Sequence, residues 1–162
     1  MSEHITIDEV REWLDYDPAT GALTWKKLRS GINRNHAGGY DGRGYGRIMF
    51  KRRRYMVTHV IWAWVYGVWP DQLIDHVNRD PHDNRIMNLR KATHQQNQIN
   101  KNAFNRTGFK GVYKMNRNLA KPFYAIARVN GRNMNLGCFA TVEEAAVVAQ
   151  AKRYELYGEF AL

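Results

Sequence analysis

Asp75 and His76 stand side by side in this sequence, and Asn88 and Asn97 follow within one short stretch, 73–97. One carboxylate, one imidazole and two carboxamides make a set with a chemical use. Carboxylate and amide oxygens are hard ligands that suit Mg²⁺ or Mn²⁺ better than Zn²⁺. An imidazole beside such an ion takes a proton from water for attack on a phosphodiester, while the ion stabilises the leaving oxygen. Any one of these residues alone has a plainer reading, since Asn and Asp in turns bond their own backbone. The whole set in order favours the chemistry.

Such a set works only if the chain folds it together. Leu73 and Ile74 read as the end of a short strand, 78–84 is dense in turn formers, and 87–91 can return as a second strand. Thr93 followed by Gln96 is a capping box, so a helix starts there with Asn97 in its first turns. A β-hairpin crossed by a helix then brings Asp75, His76 and Asn97 to one place.

The stretch LIDHVNRDPHDNRIMNLRKATHQQN resembles the ββα-metal motif (His-Me finger) of HNH endonucleases, in the H-N-N form of phage-type homing and nicking enzymes. The resemblance rests on DH-x-N-x-D-x-x-x-N, on NLR and on the terminal Asn. It implies that His76 is the general base and that Asp75 and Asn97 hold one divalent ion, Mg²⁺ or Mn²⁺. Asn88 would brace the hairpin loop and help to set the histidine's orientation. Arg79 occupies a turn position where relatives commonly have Gly, so a φ above zero there would carry modest strain.

The composition agrees with a polyanionic partner. The 162 residues carry a formal net charge of +10, with 44% hydrophobic and 12% aromatic residues to build a core. Residues 1–25 carry six acidic side chains against one basic, residues 26–59 ten basic against one acidic, residues 60–100 four of each, and residues 101–162 ten basic against four acidic. Two basic blocks flank a neutral catalytic stretch, as expected if DNA passes on both sides. Cys138 is the one cysteine, which excludes an intramolecular disulfide and a Cys-based zinc site. The acidic, polar start is unlike a signal peptide, and the longest apolar run, 60–65, is too short to span a membrane. These features lead us to expect a cytoplasmic protein.

Ahead of the hairpin, Thr6 precedes an amphipathic helical pattern that includes Val10, Trp13 and Leu14. DYDPATGALTW, residues 15–25, reads as a turn leading into a strand, and its plain role is packing. The same string recurs at the front of the HNH subgroup that the chain resembles. The glycine-rich run 31–46, with Arg34, Arg43 and Arg47, reads as an extended loop that lies along DNA; no Walker pattern is present. Strands at 45–50 and 55–57 flank a turn of Lys51, Arg52, Arg53 and Arg54, whose cations suit phosphate contact. Residues 59–67 read as a buried helix closed by Gly67, resembling the family's HRLAW helix with Val60 in place of Arg. His59 reads as a structural histidine, and His82 and His94 have no spaced partner that would make either a metal ligand.

After a polar linker, 101–106, three strands are expected from Gly111-Val112-Tyr113, 123–129 and 132–139, with Asn130-Gly131 as a hairpin turn. Thr141 and Glu144 cap a final helix whose apolar face includes Ala145, Ala149 and Leu156. GVY…FYAIARVNGR…LGCF…EEAA…YGEFA is similar to an AP2 DNA-binding domain over residues 107–162. Strand alternation puts Phe123, Ala125, Ala127, Val129, Met134 and Leu136 toward the helix. Tyr113, Arg117, Tyr124, Arg128, Asn133 and Asn135 are the candidates for reading the major groove, with Lys101 and Arg106 as further DNA-binding residues.

The sequence therefore predicts an α+β protein: a nuclease domain over 1–100 (catalytic hairpin and helix 73–100), a linker, and an AP2-like three-stranded antiparallel sheet packed on one helix. The expected activity is hydrolysis of duplex DNA by a homing-type endonuclease, with 5′-phosphate and 3′-hydroxyl ends as the resemblance implies. One active-site set and no internal repeat predict a monomer that nicks one strand, with no protein partner. The rivals are a non-catalytic AP2-type DNA-binding regulator that keeps the HNH fold as a scaffold, and a basic RNA-binding protein.

Overall fold

The computed structural model describes residues 5–27, 37–101, 105–129 and 131–161. Arg34 and Asn130, named above, lie outside the described residues. The chain divides into two compact units, Met1–His94 and Gln95–Leu162.

In the first unit, α1 (Ile7–Trp13) opens with a complete capping box: Glu9 N–H donates to Thr6 Oγ1, and Thr6 N–H donates to the Glu9 carboxylate. It runs straight into β1 (Leu14–Asp17), which pairs antiparallel with β2 (Ala22–Trp25). Asp17 builds the turn between them by accepting from Ala19 N–H and the Thr20 hydroxyl. A second sheet follows in the order β3 (Gly39–Tyr40), β4 (Gly46–Phe50), β5 (Arg53–Met56).

The described part of the glycine-rich run is not an extended loop. Asp41 accepts from Arg43 N–H, Tyr45 N–H and Arg47 Nε, which folds 41–45 into a turn between β3 and β4. Nor do four cations share the next turn. Lys51 and Arg52 form it alone, with φ of 46° and 64°, while Arg53 and Arg54 belong to β5. Positive φ at both central residues is the twist that a two-residue hairpin requires.

Helix α2 (Val57–Tyr66) starts two residues earlier than the sequence suggests and stops at Gly67, φ 70°. Val60, Ile61 and Ala63 are fully buried, and Val60 and Ile61 join Val10, Leu14, Leu23 and Ile48 at the centre of the unit. Trp13 and Trp25 close this core against Phe50, one edge-on and one stacked. The core forms a floor under β6 (Leu73–His76) and β7 (Leu89–Ala92), antiparallel with Asp75 opposite Arg90 and His76 opposite Leu89. A 3₁₀ turn, Ile86–Asn88, leads into β7, and α3 (His94–Asn100) follows at once.

By compactness α3 counts with the C-terminal unit from Gln95 onward. Its last carbonyls explain why: Lys110 Nζ donates to those of Gln98 and Ile99, and Arg153 donates to that of Ile99. The rest of this unit is a sheet ordered β10 (Arg132–Phe139), β9 (Phe123–Val129), β8 (Val112–Lys114). Helix α4 (Val142–Tyr157), capped by Thr141 and Glu144, covers one face of it through Ala145 and Ala149 against Val112 and Ala125.

Simple alternation fails on β10. The register slips between Asn135 and Gly137, a β-bulge with Gly137 at φ 114°, so Leu136 and Phe139 both reach the core and Cys138 faces out. Met134 does not pack on the helix as alternation predicts. It is 40% exposed, because the hairpin end of β10, exposed from Arg132 to Asn135, reaches past the residues that α4 covers.

Gly111 shows how tightly this unit is built. It sits at φ +78°, and a Cβ there would lie 2.4 Å from the Ile126 carbonyl oxygen. Gly111→Ala should therefore destabilise the C-terminal unit by about 1–3 kcal/mol. Calorimetry should show a lowered transition for that unit, and an unchanged melting profile would contradict the packing.

Candidate active site

Asp75 and His76 occupy the last two positions of β6, and both are buried. Alternation along the strand sends their side chains to opposite faces, so they meet different partners. Asp75 Oδ2 accepts from Arg90 Nε at 3.1 Å across the hairpin, and both side chains are well covered. The His76 ring turns toward the loop, with Nε2 3.1 Å from Oδ1 of Asn84, itself only 4% exposed. The Tyr45 ring lies 6.4 Å away, centroid to centroid.

The loop 77–88 is held by its own short polar side chains. Asn88 spans it: its Nδ2 donates to Asn78 Oδ1 and to the Asp83 carbonyl, and its Oδ1 accepts from Asn78 N–H. Asn78 also donates through Nδ2 to Asp83 and accepts from Asp80 N–H, while Asp80 accepts from His82 N–H. These are bonds that Asn and Asp make because their side chains reach backbone groups two residues away. The sharp reversal after β6 falls at Arg79, φ 66°, so a non-glycine residue does take the left-handed region there at a cost of about 1 kcal/mol.

The N-terminal hairpin reaches this loop as well. The Tyr16 hydroxyl donates to the Asn84 carbonyl at 3.1 Å and accepts from Ile86 N–H at 2.8 Å. Burial pushes the Tyr16 hydroxyl's pKa up, which keeps it protonated and able to donate. Gly21, at φ +76°, comes so close that a Cβ would lie 2.6 Å from Arg85 N and 2.7 Å from Asn84 C. Packing is thus not the only role of the DYDPATG string.

Asn97 lies half-buried on α3, in the Gln95–Leu162 unit. Among the described residues no three His, Cys, Asp or Glu side chains converge to cage a metal. The donors that the sequence offers are one carboxylate and one amide oxygen. That set fits a hard ion which completes its coordination with water and substrate phosphate, as Mg²⁺ does.

Of the expected DNA contacts, Arg52, Arg53 and Arg54 are exposed in the first unit, Arg52 in the β4–β5 turn and the others on β5. In the second, Lys101, Arg106 and Arg117 are exposed in irregular segments. Tyr113 and Tyr124 are cross-strand partners with rings stacked at 5.4 Å, and Arg128 stands opposite Asn133. Asn135 accepts from Gly137 N–H and so shapes the bulge. Tyr113, Arg128 and Asn133 also line a groove of about 860 Å³ in this unit.

Residues 55–99 match the family model of HNH endonucleases. That stretch takes in the second half of β5, all of α2 and of the β6–β7 hairpin, and most of α3, and therefore every residue proposed for chemistry. An uncharacterized HNH endonuclease of Acanthamoeba polyphaga mimivirus is 36% identical over 91 residues, covering 56% of this chain and 46% of that protein. The chain thus spans about half of that relative's length. No solved structure matches the chain.

Within the HNH segment, sequence reasoning passed over Asn84 and Arg90. Asn84 was one turn former among several, although the DH-x-N-x-D-x-x-x-N spacing already ended on it. Arg90 was present only as a letter of NLR, yet the two-residue period of a hairpin was enough to set it opposite Asp75. Tyr16, outside the segment, gave no local signal.

Asp83 offers a test of the loop. Bonds to the Arg85 guanidinium at 2.7 and 2.8 Å hold its carboxyl down to about 2. A depressed folded-state value stabilises the protein above the unfolded value near 3.9. The stability difference between wild type and Asp83→Asn should be full above about pH 4 and shrink as pH falls toward 2. Chemical denaturation across that range measures it, and a difference independent of pH would refute the pairing.

Proposed function

We propose that this chain is a divalent-metal-dependent, homing-type endonuclease that hydrolyses a phosphodiester in duplex DNA, with His76 as general base. The observation that supports it most is the burial of Asp75 and His76 together at the end of β6, beneath a loop tied by Asn84 and Asn88, inside the segment that matches HNH endonucleases. His76 would take the proton of the attacking water. Arg90 holds the Asp75 carboxylate in place through its Nε. Asp75 and Asn97 would hold the ion, Mg²⁺ or Mn²⁺, which when bound supplies charge stabilisation at the leaving oxygen. The nuclease domain would span 1–100, with 101–106 as a linker.

The second unit would recognise the target as an AP2-like module. Its uncovered sheet face carries Tyr113, Tyr124, Arg128 and Asn133, groups that stack on bases or pair with their edges, and Arg52, Arg53, Arg54, Lys101, Arg106 and Arg117 would meet phosphates. One active-site set and two unlike modules favour a monomer that nicks one strand of a long asymmetric site. Among the described residues no helix is long and apolar enough to cross a membrane.

His76→Ala should lower cleavage by roughly 10²–10⁴-fold while leaving DNA affinity in a mobility-shift assay near wild type, since it removes the base and no phosphate contact. Equal loss of binding and cleavage would assign His76 a structural role instead. For the second unit, Arg106→Ala with Arg117→Ala should make the slope of log affinity against log salt shallower by about 1.8. An unchanged slope would mean that neither arginine meets a phosphate.

A further inference from the structure

We infer that Asn84 is a positioning residue for His76, and that Tyr16 and Gly21 of the β1–β2 hairpin hold Asn84 in register. The inference rests on the endonuclease reading for its kinetic consequence, though not for its structural one.

A carboxamide oxygen only accepts, so the ring nitrogen facing Asn84 Oδ1, His76 Nε2 at 3.1 Å, must carry the proton. That selects one neutral tautomer and puts the basic lone pair on Nδ1. A base whose tautomer or ring angle wanders spends part of its time unable to accept a proton. Fixing the ring therefore requires that Asn84 be fixed, and the structure does this from outside the hairpin loop.

The Tyr16 hydroxyl clasps the backbone on both sides of Arg85, donating to the Asn84 carbonyl and accepting from Ile86 N–H. Phenylalanine, which lacks the hydroxyl, could do neither. Gly21 lets the β1–β2 turn abut the same peptide, with no space for even a methyl group. Trp64 packs edge-on to Tyr16 at 5.8 Å and, through Nε1–H, donates to the Leu14 carbonyl, which locks the tyrosine to α2. A hairpin 60 to 70 residues upstream thereby sets the rotamer of the base through one asparagine.

The test compares Asn84→Leu, which keeps the side-chain shape without the acceptor, with Asn84→Asp, which keeps an acceptor oxygen in place. Two readouts are taken on the full chain. Long-range ¹H–¹⁵N spectra of the His76 ring under mildly alkaline conditions report its tautomer without reference to activity. Single-turnover cleavage and mobility-shift affinity separate the chemical step from binding.

We expect the Nε2–H pattern in wild type and Asn84→Asp, and a mixed pattern in Asn84→Leu. The cleavage rate of Asn84→Leu should fall about 10²-fold at unchanged affinity, with most of the rate restored in Asn84→Asp. Tyr16→Phe, which retains the ring and its packing, should shift the tautomer pattern the same way and covers the case in which Asn84→Leu does not fold. An unaltered ring pattern in Asn84→Leu, or in Tyr16→Phe if Asn84→Leu is unfolded, would overturn the inference. If the ring pattern shifts as expected in a protein whose wild type never cuts DNA, the positioning stands and the endonuclease reading falls.

Discussion

The bond between the His76 ring and buried Asn84 is the interaction around which the loop after β6 is arranged. As the base that we propose, His76 would need its ring held with the correct nitrogen toward the water. His76 is placed at the end of a strand, where backbone pairing with Leu89 fixes its Cα. The ring itself is fixed by a hydrogen bond to a buried asparagine. That asparagine and its loop are held by Asn88, which bonds the neighbouring Asp83 carbonyl, and by Tyr16 and Gly21, with the core of Leu14, Leu23 and Ile61 in the same unit. Buried polar groups of this kind are stable only if nearly all are satisfied, and the less buried Asn78 and Asp83 supply the partners of buried Asn88.

The same logic separates the two neighbours on β6. Opposite faces of one strand give His76 an amide partner and Asp75 a guanidinium partner. The Asn84 amide offers an oxygen acceptor to the imidazole, whereas the Arg90 guanidinium pairs with the buried carboxylate. The positive φ at Arg79 and the close approach at Gly21 are local costs of turning the chain tightly enough to bring these groups together. In the C-terminal unit the bulge at Leu136 has a comparable effect, giving the α4 face both Leu136 and Phe139 while Tyr124, Ile126 and Arg128 of β9 stand on the opposite face.

Local sequence carried much of this. The capping boxes at Thr6 and Thr141, the hairpin around Asp75 and His76, the special backbone at Arg79 and the helix stop at Gly67 all depend on residues within a few positions of one another. What sequence left hidden is nonlocal or depends on one residue too many. The bond from Tyr16 to Asn84 joins residues 68 apart, and no periodicity encodes it. A bulge shifts the alternation of a strand by one residue, so the inward set misplaced Met134 and omitted Phe139. A run of four cations conceals which two form a turn, since that is decided by strand pairing of Arg53 with Phe50 and not by charge. The membership of α3 is set by Lys110 and Arg153, which reach its carbonyls from far along the chain.

The central claim is that buried Asp75 and His76 form a hydrolytic centre that needs a divalent ion, and relaxation of supercoiled plasmid by the purified wild-type chain measures it most directly. With Mg²⁺ or Mn²⁺ the account predicts conversion to open circles, with ends that ligase reseals without treatment, and no conversion in EDTA. Cleavage that persists at full rate in EDTA, or no cleavage of any duplex with either ion, would contradict it.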